Sequence, residues 1–276
     1  LYENAIRFET EVLRILKDNY GTVNQYYATS LNNLASYNAS LGNYAEAVRL
    51  ETVCMNILYD IFGEKNIKYA YSLTNLANYN SLSDNNLEAI RLGTKALDII
   101  GTVLGKEHPD YAFSLLSLSE HYRKIKDKKT MKYCTDATRV VSDIIKKTFI
   151  NLTAQERNLF WDQYREWFET YIHNIAYEFR TDSVFENGYN GILLSKGLLL
   201  NSEIEFSKLL EESGDSEVMD MYNDLTALRR HINGLSASEM ILNVDSLERV
   251  AQGLERELVQ RSNIYGDFTK NIAIDW

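Results

Sequence analysis

Tyr69-Ala70-Tyr71-Ser72-Leu73-Thr74-Asn75-Leu76-Ala77 has a counterpart on each side, Tyr27-Ala28-Thr29-Ser30-Leu31-Asn32-Asn33-Leu34-Ala35 before it and Tyr111-Ala112-Phe113-Ser114-Leu115-Leu116-Ser117-Leu118-Ser119 after it. The three open on Tyr27, Tyr69 and Tyr111, so the interval between them is constant. A unit of this size cannot bury its apolar face alone, so neighbours stack and leave an inner surface open to a partner. Working outward, each unit reads as two helices. The first runs from Tyr27 to Ser40, a turn follows at Leu41-Gly42-Asn43, and the second runs from Tyr44 to Phe62 and is closed by Gly63. In the next unit the second helix spans Asn86 to Leu104, closed by Gly105, before Lys106-Glu107-His108-Pro109. Glycine supplies the left-handed conformation that stops a helix, and proline begins a helix more readily than it continues one. Small residues recur where two helices must approach, Ala35, Ala77 and Ser119 on the first helix and Ala5, Ala47 and Ala89 on the second. Larger side chains there would overpack the junction by roughly 1–3 kcal/mol.

Composition agrees with an all-α protein. Pro109 is the one proline in 276 residues, and a chain that avoids the residue most hostile to helix interiors favours long helices. A net charge of −10 opposes attraction to a phosphate backbone, so nucleic acid is not an expected partner. No window approaches the roughly 20 apolar residues of a membrane-spanning helix, so no membrane association is expected. Cys54 and Cys134 are too few for a disulfide framework and fall on helical repeat positions, which points to packing roles in a reducing, cytoplasmic setting. Tyr2, Ala5, Ile6 and Arg7 align with Tyr44, Ala47, Val48 and Arg49 at the same offset. The chain therefore reads as starting on the second helix of a truncated unit, and a targeting signal is not legible.

The pattern from Asn33-Leu34-Ala35 through Gly42-Asn43-Tyr44-Ala45-Glu46-Ala47 to Leu50 and Cys54 resembles the tetratricopeptide repeat, and its length resembles the longer variety found in kinesin light chains and in many bacterial proteins. The resemblance implies an α-α superhelix over residues 1–147, a half repeat followed by three repeats of about 42 residues. The last unit departs from it, with Met131 in the place of Ala89 and Asp127-Lys128-Lys129 in place of the glycine turn.

Residues 148–276 read as a helical extension. Thr153-Ala154-Gln155-Glu156 has capping-box spacing, and Phe160, Tyr164, Trp167, Tyr171, Ile175 and Phe179 step along one helix face as a buried aromatic stripe. Further helices are expected from about Val184 to Leu210, from Glu217 to about Leu235 and from Asp245 to Ser262. Ile192-Leu193-Leu194-Ser195-Lys196-Gly197-Leu198-Leu199-Leu200-Asn201-Ser202, Leu254-Glu255-Arg256-Glu257-Leu258 and Asn271-Ile272-Ala273-Ile274-Asp275-Trp276 resemble the segment that joins tetratricopeptide repeats to a CHAT domain, a caspase-like module. That resemblance implies a regulatory half whose peptidase would follow Trp276. No catalytic residue is carried over.

No active site is visible. His108, His121, His173 and His231 show no spacing that brings one beside Cys54 or Cys134, and His108 reads as a turn residue before Pro109. Neither a zinc nor a calcium pattern occurs, and Gly188-Tyr189-Asn190-Gly191 lacks the ending of a phosphate loop, so no metal or cofactor is expected. The expected function is partner binding on the concave face of a scaffold. By the same resemblance that face is lined by the first helices, with Asn33, Asn75 and Ser117 in equivalent places; an asparagine amide offers a donor and an acceptor to an extended peptide backbone. Thr29, Asn32, Ser36, Tyr71, Thr74, Asn78, Phe113, Leu116 and Glu120 complete the candidate surface. Tyr44, Tyr69 and Tyr111 read as core, whereas Tyr37, Tyr71 and Tyr79 are left for a partner. The alternative is a stand-alone peptide sensor or adaptor with no associated enzyme.

Overall fold

The computed structural model describes residues 2–149, 154–180, 215–233 and 237–261, and among these every regular element is helical. In order they are α1 (Tyr2–Tyr20), α2 (Gln25–Ser40), α3 (Tyr44–Phe62), α4 (Ile67–Leu82), α5 (Asn86–Val103), α6 (Pro109–Lys124), α7 (Lys129–Phe149), α8 (Ala154–Glu166), a π-helical turn (Trp167–Tyr171), α9 (Ile172–Phe179), α10 (Ser216–Asn233) and α11 (Ala237–Arg261). Two compact units divide them, one of residues 1–141 with 175–184 and one of 142–174 with 185–276.

In the first unit each helix from α1 to α6 packs on the next, and α4 also meets α6, so first helices of successive repeats lie side by side. The core repeats with the sequence. Leu31, Leu73 and Leu115, and Leu34, Leu76 and Leu118, are all buried, and so are the small residues Ala35, Ala77, Ser119, Ala47 and Ala89. Each first helix begins with an acceptor at the same place. Asn24 accepts from the Tyr27 amide at 2.8 Å, Asn66 from the Lys68 amide at 2.8 Å, and the Nδ1 atom of His108 from the Asp110 amide at 3.1 Å. His108 is thus a helix cap, with Pro109 in the first helical position, where a missing amide costs nothing.

The turns inside the repeats are also periodic. The backbone amides of Asn43, Asn85 and Asp127 donate to the carbonyls of Asn38, Asn80 and Tyr122 at 2.9, 2.9 and 3.1 Å. The residue before each donor is left-handed, with φ of 81° at Gly42, 62° at Asp84 and 56° at Lys126. The turn is therefore kept where Asp127-Lys128-Lys129 stands in place of the glycine pattern, with Lys126 taking the strained conformation. At the other end of the unit glycine is retained. Gly21, Gly63 and Gly105 have φ of 75°, 76° and 89°, and Gly63 combines this with a ψ of 180°, a region essentially closed to any residue with a Cβ.

In the second unit the aromatic stripe is broader than its spacing indicates. Tyr164 and Trp167 are buried as expected, but Trp161, Phe168 and Ile172 are buried with them, while Phe160 and Tyr171 are only half-buried. That Ile172 is buried where the spacing places Tyr171 follows from the π turn, in which the Ile172 amide reaches back five residues to the Trp167 carbonyl and so shifts the helical register. Helices α10 and α11 pair through Val218, Leu225, Ile232, Ala251 and Leu258, with Arg229 donating to Glu255 at 2.5 Å. Helix α11 starts at Ala237 and not at Asp245, because an aspartate that suits a helix start is also tolerated inside a long helix at well under about 1 kcal/mol. Thr153, the segment Val184 to Leu210 with Gly188-Tyr189-Asn190-Gly191, and the segment Ile192 to Ser202 lie outside the described residues.

Candidate functional site

Helices α2 and α4 run beside each other with α3 behind them, and a cavity of about 380 Å³ opens between the three. Its walls come from Gln25, Thr29 and Asn32 of α2 and from Lys68, Tyr71, Ser72 and Asn75 of α4; Glu51, Cys54 and Leu58 of α3 form the rest. Four of the candidate residues, Thr29, Asn32, Tyr71 and Asn75, meet here. Asn75 donates from its amide to Asn32 Oδ1 at 2.8 Å, so the two asparagines brace adjacent repeats and also face the cavity. Tyr71 is exposed and donates to Asp110 of the next repeat, and Lys68 donates to Gln25 at 2.8 Å.

The other candidates do not line this cavity. Asn33, Thr74, Asn78, Leu116 and Ser117 are half-buried, Ser36 and Phe113 are exposed, and Thr74 turns its hydroxyl back to the Ala70 carbonyl at 3.1 Å. Glu120 holds Arg123 at 2.7 Å, and the same guanidinium reaches Glu178 at 2.9 Å. Tyr79 is 8% exposed and belongs to the core that α2 and α3 build, so it is not available to a partner.

Glu51 lies outside the candidate surface. It is fully buried in α3, and Ser72 donates to its Oε1 at 2.5 Å, while Oε2 has no hydrogen-bond partner among the described residues. Burial pushes the carboxyl up to about 7, although the Ser72 hydroxyl and, next, the Cys54 thiol favour its ionised form. Cys54 is itself pushed up to about 12, by burial first and then by the neighbouring Glu51 charge, so it is no thiolate nucleophile. A signal for Glu51 does exist in the sequence. Glu9 holds the same place one repeat earlier, and Ser30 donates to it at 2.5 Å just as Ser72 does to Glu51. A glutamate on the apolar side of a helix, recurring one repeat apart opposite a recurring serine, marks a built polar pair.

Among the described residues no group of three metal-ligating side chains converges, and no helix is long and apolar enough to cross a membrane.

The tetratricopeptide repeat family model matches residues 28–59 and 70–110, which hold the helix pairs α2–α3 and α4–α5. No curated protein sequence matches the chain. Among solved structures, the chain is similar to the nearly identical TPR-like repeats assigned to a kinesin light chain of Podosopora anserina, at 16% identity over 70% of this chain and 87% of that one, with a TM-score of 0.46. A single-substitution form of the same repeats aligns at 15% identity over 73% of this chain and 88% of that one, with a TM-score of 0.50. At such identities the likeness concerns the fold. With helix pairs, caps and turns recurring at the interval of the sequence repeat and the family model in register with them, the helical units at residues 28–59 and 70–110 are tetratricopeptide repeats.

Proposed function

We propose that the face formed by α2, α4 and α6 binds an extended protein segment, and that the chain acts as an interaction scaffold without catalysis of its own. The observation that carries this is the cavity between α2 and α4, where Asn32 and Asn75 spend one acceptor and one donor on each other. Asn32 Nδ2 and Asn75 Oδ1 are then left for a peptide backbone, the donor and acceptor an extended chain requires. Tyr71 and Phe113, exposed in equivalent places on α4 and α6, add aromatic contact area beside it. The candidate residues Asn33, Ser36, Thr74, Asn78, Leu116, Ser117 and Glu120 extend the same surface.

The test is affinity selection of a random peptide library on the full chain, followed by titration of an enriched peptide. The Asn32→Ala/Asn75→Ala double variant should bind at least about tenfold more weakly, the worth of one or two hydrogen bonds to a buried backbone. Equal affinity with an intact helical spectrum removes the groove from the account.

The resemblance of the second half to CHAT-linked segments supports a wider proposal, in which this scaffold regulates a caspase-like peptidase of a longer chain. A downstream reading frame without a His-Cys peptidase domain would end that proposal and leave the scaffold untouched.

A further inference from the structure

The cavity holds more than a peptide backbone needs. An extended strand can be held by the asparagines, yet the cavity is also lined by Glu51 of α3, a fully buried side chain whose Oε2 has no hydrogen-bond partner among the described residues. A buried carboxyl with one oxygen satisfied and the other not is costly unless something completes it. The acceptors on the lining residues are Glu51 Oε2 and Asn75 Oδ1, whose two lone pairs can serve a backbone amide and a second donor, and Leu58 supplies apolar wall. Two acceptors near an apolar wall describe a donor group on an aliphatic stem.

We propose that the cavity between α2, α3 and α4 is an anchor pocket for a lysine side chain of the bound segment, whose ammonium is held by Glu51 Oε2 and Asn75 Oδ1 while its methylenes lie along Leu58. This deepens the peptide-binding reading and rests on it for the rest of the ligand. Lysine is favoured over arginine by the state of Glu51. Ser72 already occupies Oε1, so the parallel two-oxygen grip that suits a guanidinium is spoiled, whereas an ammonium needs one oxygen at a time. The whole chain's charge of −10 draws cations toward it. Lys68 does not fill the place itself, since its ammonium is tied to Gln25 and sits 5.0 Å from the Phe62 ring centre.

The probe is Nα-acetyl-lysine N-methylamide, titrated into the full chain by two-dimensional NMR beside the norleucine, arginine and glutamate analogues. The lysine compound should bind at least about tenfold more tightly than each of the others, and Glu51→Gln should cost it at least about tenfold, as the loss of a charge-assisted bond. Equal binding of norleucine, tighter binding of the glutamate or arginine compound, or indifference to Glu51→Gln overturns the pocket. A measurement on the unaltered chain guards against a damaged variant. Among the described residues, the groups around Glu51 are Cys54 on its own helix, and Lys68, Tyr71, Ser72 and Tyr79 from α4; α2 contributes the neutral Gln25, Thr29 and Asn32. Cys54, Tyr71 and Tyr79 are each pushed up to about 12 and keep their protons well past neutrality. With Glu51 titrating about 7, lysine affinity should rise about tenfold from pH 6 to pH 8, and a flat profile overturns the proposal. Lysine binding that survives while the asparagine double variant leaves library-peptide affinity unchanged would keep the pocket and discard the extended groove.

Discussion

The junction between α3 and α4 and the one between α5 and α6 occupy equivalent places in successive repeats, yet they solve one packing problem in opposite ways. At the first, Glu51 reaches Ser72 beneath Tyr79, and a cavity stays open. At the second, Gly93 stands where Glu51 would be and His121 where Tyr79 would be. A Cβ added at Gly93 would lie 3.4 Å from both the His121 ring and Leu118, so the imidazole has moved into the space a glutamate would need. Ser114, the counterpart of Ser72, turns its hydroxyl back to the Asp110 carbonyl at 2.7 Å. Replacing two residues together thus converts a polar socket into filled core while the helices keep their register.

The largest effect should come from forcing one junction to copy the other. Gly93→Glu pushes a carboxylate against His121 and Leu118 and should cost at least about 3 kcal/mol in urea unfolding, part of it recovered when His121→Ala empties the slot. A double variant no more stable than Gly93→Glu alone would show that the two positions are not exchanging volume.

Next come the two buried ionisable groups, which should tilt the stability of the array in opposite directions with pH. Glu51 is raised from 4.5 to about 7 by burial, so the folded state holds a proton that the unfolded chain releases; stability falls as pH rises from about 4.5 to 7, by roughly 3 kcal/mol. His121 is lowered from 6.5 to about 4, again by burial first, and neither ring nitrogen has a partner among the described residues. There the unfolded chain binds the extra proton, so stability falls as pH drops from about 6.5 to 4, by a similar amount. Unfolding of Glu51→Gln and His121→Leu at pH 5, 6, 7 and 8 should flatten one flank each, and a variant that flattens neither refutes its assignment.

Smaller differences sharpen the contrast. Ser72→Ala removes the hydroxyl hydrogen bond to Glu51 Oε1 and should cost about 1–2 kcal/mol, whereas Ser114→Ala loses only a bond to its own helix and should stay within about 0.5 kcal/mol by thermal melting. Gly93→Ala, whose Cβ meets its neighbours at ordinary contact, should gain about 0.5–1 kcal/mol from helix propensity. Destabilisation instead would mean that His121 has no room to yield even to a methyl group.

The architecture was legible because it depends on intervals. The spacing of Leu31, Leu73 and Leu115, the small residues of the helix crossings and the glycine stops each follow from one helix at a time, and all are where the period places them. What escaped depends on pairs of helices. Glu51 recurs with Glu9 at the repeat interval, but what that recurrence means shows only when Ser72, 21 residues on, is brought against it. Tyr79 is left open by its spacing, but it is buried in the cluster that α2 and α3 build. Lys126 was missed for a different reason. A left-handed residue without glycine is set by the turn's own hydrogen bond, and Asp127 to Tyr122 keeps that bond whatever residue stands between. The register shift at Trp167–Tyr171 likewise leaves the residue spacing plausible on both sides of it.

Gly21 and Gly63 leave their helices at nearly the same backbone angle, 75° and 76°, one full repeat apart. A segment cut just after each of them therefore has interchangeable ends. Duplicating residues 22–63 would lengthen the array by one module joined through matching backbone ends, with α2 of the copy packed on α3 in the place of α4. The copied module would bring its own Glu51 and would set Ser30 where Ser72 stands, so the polar pair could recur with a different wall, Tyr26 and Thr29 taking the places of Lys68 and Tyr71.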